Sequence, residues 1–346
     1  MNEAHTSAQT ARDIAEFEAA AAQQSSSYRA PWWLPGAHLQ TIYPVLFRRL
    51  SPVPVTRERW DTPDGDFIDV DVLDGPADAP LLVLFHGLEG GSRSHYSRAM
   101  MQAAHGRGWR LLLPHFRGCG GEANRLPRAY HSGDTVEAEW ILRKAFERAA
   151  GRSLYAMGVS LGGNVLLKWL GEQGEAASRI VRAAAAISAP LDLMAAGNAL
   201  ERGFNRIYAR MFLATMVAKS MDIIARFPGL FDAERAAHAR TLREFDDAVT
   251  APLHGFADVA DYWTRASSKP LLRDIRVRTL VLNARNDPFM PAQHLPERHE
   301  ASATVTLEFP ATGGHVGFLS GSFPGHVRWM PQRVFEFFKL SEAGRS

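Results

Sequence analysis

Three side chains in this sequence have the types and settings needed for nucleophilic catalysis. Ser160 sits in Gly158-Val159-Ser160-Leu161-Gly162, Asp287 in Asn286-Asp287-Pro288-Phe289, and His315 in Gly313-Gly314-His315-Val316-Gly317-Phe318. A serine hydroxyl is a weak nucleophile at neutral pH and needs a base within hydrogen-bond reach. A histidine can take its proton during attack and return it to the leaving group, while a carboxylate fixes the imidazole tautomer and stabilises its transient charge. The oxygen of a tetrahedral intermediate also needs preorganised donors, each worth about 3 kcal/mol. The expected donors are the backbone N–H groups of Leu161, directly after the serine, and of Leu88, in His86-Gly87-Leu88-Glu89-Gly90-Gly91.

Each of these signals is weak alone. Gly-x-Ser-x-Gly matches arise by chance, an aspartate before proline commonly starts a turn, and a histidine among glycines is commonly a packing residue. Their weight comes from the segments that carry them. Leu154 to Met157 is an apolar strand entering the serine turn, and the amphipathic run Asn164 to Leu170 leaves it. Thr279 to Ala284 and Thr304 to Phe309 read as further strands, ending just before Asp287 and His315.

The rest of the chain fits the same frame. Val55 to Trp60 and Phe67 to Leu73, joined at Thr62-Pro63-Asp64-Gly65-Asp66, read as an antiparallel pair with one face exposed. Leu81 to Phe85 is an unbroken apolar run, as in a parallel strand buried on both faces. Helix around Tyr96 to His105, strand Arg110 to Pro114, helix Thr135 to Ala150 and strand Ile180 to Ile187 complete an alternation that predicts an α/β fold. Its central sheet is mostly parallel, with helices on both faces. From Pro190 to Lys269 the pattern turns helical, with segments at Met194 to Val217, Met221 to Phe227, Ala233 to His238 and Thr241 to Val249. The expected organisation is a polar leader over 1–30, core over 31–189, a helical cap over 190–269, and core again over 270–346, closed by a helix from Phe323 to Leu340. In such a sheet ligands bind at the carboxyl ends of the strands, the edge shared by Ser160, Asp287 and His315.

Composition removes several function classes. A net charge of +2, with arginines spread along all 346 residues, gives no footprint for nucleic acid. The single cysteine, Cys119, forbids an internal disulfide and fits a reducing compartment. No run approaches the about 18 apolar residues of a membrane span, and Met1 to Ser27 lacks the plan of a secretory signal. The expectation is a cytoplasmic chain without a transmembrane segment; its oligomeric state is not legible.

Other candidates read as structural. His86 orders the loop that supplies the Leu88 N–H. His95, His105, His115 and His131 have no zinc-ligand spacing, so no metal is expected. The glycine loops lack the lysine of a phosphate loop, and no organic cofactor is expected. Asp134 and Glu137 suit a helix N-terminus, and Asp192 is a weaker candidate than Asp287 for the acid. Pro31 to Pro44, with prolines at 31, 35 and 44, reads as an irregular extended strap. Trp32, Trp33 and His38 either pack it down or line a pocket entrance.

Taken together, His38-Leu39-Gln40-Thr41, His86 to Gly90, Phe116-Arg117-Gly118-Cys119-Gly120-Gly121, Gly158 to Asn164, Asn286 to Phe289 and Gly313 to Phe318 resemble the α/β-hydrolase superfamily, in particular its AB hydrolase 4 (YheT-like) branch. Phe245-Asp246, Thr250-Ala251-Pro252 and Gly255-Phe256 are similar as well, and the order serine, aspartate, histidine is the order of that superfamily. The resemblance implies a serine hydrolase with Ser160, Asp287 and His315 as its charge-relay triad. It also implies carboxylic ester substrates with short- to medium-chain or lipid-like, apolar acyl groups. Eukaryotic members often carry an N-terminal membrane anchor, and none is read here. Transfer of the acyl group to an alcohol is an alternative outcome of the same chemistry, and a catalytically silent binding protein is a third reading.

Overall fold

The computed structural model describes residues 28–47 and 50–343. Of the leader expected over residues 1–30, residues 1–27 lie outside the described residues; Tyr28 is buried, its hydroxyl donating to the Leu319 carbonyl at 2.8 Å.

One eight-stranded sheet organises the chain: β1 (Thr56–Asp61), β2 (Phe67–Leu73), β3 (Leu81–Phe85), β4 (Arg110–Pro114), β5 (Leu154–Val159), β6 (Ala183–Ile187), β7 (Arg278–Leu282) and β8 (Val305–Glu308), in the spatial order β1-β2-β4-β3-β5-β6-β7-β8. The β1–β2 and β2–β4 pairs are antiparallel and the remaining pairs parallel. Strand side chains alternate between faces, and β5 shows the result. Leu154 and Ala156 join one apolar layer beneath α3 (Thr135–Ala149) and α4 (Leu161–Gln173). Tyr155, Met157 and Val159 join the other, with α2 (His95–His105) and the closing helix. From β3 the chain moves to β4 on one side and then to β5 on the other. The crevice at this reversal opens beside the ends of β3 and β5.

Four expectations need correction. Pro31 to Pro44 is not an extended strap: after a turn at Pro31–Gly36, residues Ala37–Phe47 form helix α1 with Pro44 inside it. Pro44 cannot donate to the Gln40 carbonyl. That carbonyl faces Gly317 instead, where an added Cβ would lie 2.1 Å from it. Packing against the 313–317 loop has overridden the local preference. Second, the β1–β2 pair does not leave one face of β2 exposed. Every residue of β2 is buried, because Arg57 and His115 cover Asp71, and Arg59 covers Asp69. Burial alone would raise the Asp71 carboxyl, but hydrogen bonds from His115 and Arg57 hold it below the usual carboxylate range.

Third, the helical breaks between β6 and β7 fall elsewhere. Helix α5 (Leu193–Leu200) ends before Gly203, which takes φ +51°, and α6 (Asn205–Arg226) then runs unbroken for 22 residues. Fourth, the closing helix α8 (Trp329–Ala343) begins only after the turn at Phe323–Gly325. Short helices at Ala233–Ala237 and Leu242–Phe245, then α7 (Val259–Ala266), complete the helical segment. No described helix is long and apolar enough to cross a membrane.

Asp246 ties the end of this segment together. It is half-buried at the edge of the cavity, and it accepts from Trp263 Nε1 at 2.8 Å and from the Thr250 hydroxyl at 2.6 Å. Burial outweighs these bonds and lifts its carboxyl from 3.8 to about 6. The folded state therefore holds this proton more tightly than the unfolded chain. The stability contributed is complete below the unfolded pKa and disappears as pH rises through the folded one. Two pH units correspond to about 3 kcal/mol. Thermal unfolding of Asp246→Asn, whose amide needs no charge, should show a pH profile between pH 4 and 7 flatter than that of the wild type. A profile parallel to the wild type would exclude this assignment.

Candidate active site

The serine turn is built by close backbone contact. A Cβ on Gly158 would fall 2.2 Å from the Gly162 carbonyl oxygen, and one on Gly162 would fall 2.5 Å from the carbonyl oxygen of His86. Only glycine lets β5, α4 and the end of β3 meet at these distances. Ser160 between them takes φ +52° and ψ −122°, a conformation costing about 1–3 kcal/mol. The chain endures it because Ser160 N–H donates to Ile187 O at 2.8 Å, extending the β5–β6 ladder, while the Ser160 carbonyl accepts from Gly163 and Asn164.

The loop after β3 lies alongside. His86 is fully buried; its Nε2 accepts from Phe116 N–H at 3.0 Å, so the proton sits on Nδ1, which donates to Gly87 O at 2.7 Å. Burial holds this ring neutral, pushing it down to about 3. Gly87 N–H donates to Tyr96 OH at 2.8 Å and Glu89 N–H to Tyr130 OH at 3.0 Å. Between them, Leu88 N–H donates to no described group. Leu161 N–H is likewise free, as expected of the first residue of a helix.

Asp287 follows β7 and is buried; it accepts from Phe289 N–H at 2.8 Å. His315 follows β8. Its Nδ1 lies 2.9 Å from Asp287 Oδ2 and 3.1 Å from Oδ1, and its Nε2 lies 3.0 Å from Ser160 Oγ. The carboxylate side is fixed as the Nδ1–H acceptor, so Nε2 is the acceptor for the serine hydroxyl. Phe289 covers the imidazole at a ring separation of 4.1 Å.

Residues from α1, whose part in the site sequence reasoning did not reach, set the histidine turn. His315 N–H donates to Thr41 Oγ1 at 2.9 Å, Gly313 N–H to Gln40 Oε1 at 2.9 Å, and Gly314 N–H to Asn286 Oδ1 at 3.0 Å. Asn286 also donates to Gln40 at 2.9 Å, so one polar cluster joins α1 to both turns. The sequence signal for this role is the segment His38-Leu39-Gln40-Thr41, whose polar pair carries no local hint of the distant turn it supports. Trp32 is exposed, Trp33 packs against Tyr43 and Phe323, and His38 packs on Phe204 and Tyr208. None of the three reaches the cavity.

Ser160, His315, Leu88 and Leu161 border a cavity of about 560 Å³. Its walls include Leu200, Phe212, Met216, Ile223, Phe245 and Phe289, most of them from the helical segment between β6 and β7. Lys219 of α6 reaches across to Glu89 at 2.7 Å, joining that segment to the Leu88 loop.

Other candidates lie apart from this constellation. Asp192 caps α5 through Ala195 N–H, and Asp134 caps α3 through Glu137 N–H. Glu137 does more than start its helix: its carboxylate meets the buried Arg117 guanidinium at 2.5 Å, which also binds Asp66 at 2.9 Å. Burial pushes the Cys119 thiol up to about 11, where it is a poor nucleophile. Among the described residues no cluster of three His, Cys, Asp or Glu side chains is placed to hold a metal.

The α/β-hydrolase-fold family model matches residues 80–322. YheT of Escherichia coli (strain K12) is 40% identical over 302 residues, covering 86% of this chain and 88% of its own. The phospholipase ABHD3 of mouse is 30% identical over 324 residues, covering 91% and 78%. Among solved structures, the esterase Pf2001 of Pyrococcus furiosus superposes with a TM-score of 0.53 at 16% identity, covering 83% of this chain and 92% of that one. That likeness concerns the fold. By its sheet order, its matched residues and these relatives, the chain belongs to the α/β-hydrolase family and is YheT-like within it.

Proposed function

We propose that this chain is a serine hydrolase of carboxylic esters, with Ser160 as nucleophile, His315 as general base and Asp287 as its orienting acid. The observation that carries the reading is the continuous contact from Ser160 Oγ to His315 Nε2 at 3.0 Å and from His315 Nδ1 to Asp287 at 2.9 Å. Names of relatives agree with it: phospholipase for ABHD3, monoacylglycerol lipase for a yeast protein at 27% identity, and a provisional esterase name for YheT.

In this mechanism Ser160 Oγ attacks the ester carbonyl carbon as its proton passes to His315 Nε2. The carbonyl oxygen becomes an oxyanion facing the free N–H groups of Leu88 and Leu161, which need no rearrangement to receive it. Collapse breaks the bond to the alkoxy oxygen, which leaves with the His315 proton and yields an acyl-Ser160. A water then repeats the sequence: it gives a proton to His315, attacks the acyl carbon, and releases the acid as the proton returns to Ser160. Asp287 remains ionised and holds the imidazolium in register. The cavity's Phe, Met and Leu walls suit an apolar acyl chain, since such side chains adapt to flexible hydrocarbon.

A fluorophosphonate probe should label the wild type, while Ser160→Ala stays unlabelled; equal labelling of both would refute the nucleophile. Asp287→Asn leaves the shape intact but permits the wrong imidazole tautomer, and kcat should fall by about 10⁴.

Thr41→Val removes the acceptor of His315 N–H, a loss of about 1–3 kcal/mol. If the Thr41 bond positions the histidine, kcat should drop at least tenfold with KM little changed, and Thr41→Ser should recover most of it. A change confined to KM would count against that role.

Hydrolysis of p-nitrophenyl esters of graded acyl length should peak at medium chains, and an optimum at acetate would exclude the apolar acyl pocket.

A further inference from the structure

Helix α6 has two working faces. Phe212, Met216, Lys219 and Ile223 turn inward to the cavity beside Ser160. The opposite face borders a second groove, of about 550 Å³, between α6 and the turn after Ala233–Ala237. Its floor is Leu213, Ala214, Val217, Ala237 and Ala239, and its rim carries Arg206, Arg210 and Arg240. Of the neighbouring acids, Glu234 is exposed on the short helix without a side-chain partner among the described residues, and the others have other work. Asp232 caps the short helix, Asp247 binds Arg235 and Val259 N–H, and Glu201 pairs with Arg243. Glu244 accepts from the backbone N–H of Arg240. Among the described residues none of the three rim guanidiniums has a carboxylate partner. No acidic residue occurs between Glu201 and Asp222.

The same face exposes large apolar side chains. Arg206 and Arg210 form one stripe, and Ile207 and Met211 form the stripe beside it, about 100° further round the helix, so that together they make one mixed band. Ile207 is 46% and Met211 67% exposed, and Phe204 just before the helix is 45% exposed. A stripe mixing arginine with exposed Phe, Ile and Met matches a surface that is anionic outside and apolar beneath. Free phosphate or a polynucleotide would meet the arginines but leave the apolar residues wet.

We propose that this outer face of α6 docks on an anionic lipid surface, with Arg206, Arg210 and Arg240 meeting lipid phosphates and Phe204, Ile207 and Met211 entering the interface. The helix that walls the ester cavity on one side would then lie against the lipid on the other. Docking does not depend on Ser160 chemistry, so the two readings can fail separately.

The test uses the full chain as Ser160→Ala, so that no lipid is consumed, in co-sedimentation with vesicles of phosphatidylcholine alone or mixed with phosphatidylglycerol. Binding is expected only to the mixed vesicles and should weaken as salt is raised. Arg206→Gln, Arg210→Gln and Arg240→Gln combined should lower partitioning about a hundredfold. Ile207→Ser with Met211→Ser should lower it while every charge remains, and circular dichroism checks that each variant is folded. Equal binding to both vesicle types, no binding to either, or a folded arginine variant that binds like its parent would overturn the proposal. So would release by inorganic phosphate at constant ionic strength, or an unchanged affinity in the variant carrying Ile207→Ser and Met211→Ser.

Discussion

The site depends on how closely backbone can approach backbone at the end of β5. Gly158 and Gly162 bring strand, helix and the neighbouring β3 loop to distances that no side chain would allow. Ser160 is held in a left-handed conformation by the β6 ladder on one side and the first turn of α4 on the other. The same geometry raises the serine hydroxyl toward His315 and leaves Leu161 N–H at an open helix end. The proposed nucleophile and the proposed oxyanion donor are therefore products of one constraint. Relaxing it would misplace both together.

The other half of the site is held from a distance in sequence. Asp287 and His315 come from adjacent strand ends; of their two turns that of His315 is the glycine-rich one, and both draw support from another element. Helix α1 supplies what they lack: Gln40 takes donors from Gly313 and Asn286, and Thr41 takes the His315 N–H. Pro44 contributes by leaving the Gln40 carbonyl without its helical partner, so that it can lie against Gly317. The first described helix thus acts as a clamp on the last loop of the site. On the opposite wall, His86 does the same for the Leu88 loop, using its neutral ring to join Phe116 N–H to Gly87 O.

The helical segment between β6 and β7 determines what the site can receive. Its inner surface is largely apolar and borders the same cavity as the serine, and the Lys219–Glu89 pair ties it to the loop bearing Leu88. Contact between the two is short and ionic in a partly exposed setting, so it fixes position more than it adds stability. Cavity-facing and outward-facing residues alternate on α6. A single helix in this way walls the cavity and presents an external surface.

Much of this was legible in the sequence because it rests on local pattern. The apolar run of β3, the strand–turn–helix at Ser160 and the strand ends before Asp287 and His315 follow from periodicity and turn chemistry, which act within a few residues. Sequence could not show that Pro31 to Pro44 contains a helix, since local proline content argues for extension and only packing against residues 313–317 reverses it. Nor could it show that Asp69 and Asp71 are buried, because their covering arginines and His115 arrive through strand pairing. Glu137 reads as a helix-start residue until Arg117 approaches from another loop. Sequence alone determined which residues can do chemistry and in what order they come. Tertiary structure decided their distances, their hydrogen-bond partners and their supports, because those depend on contacts between segments separated by tens to hundreds of residues.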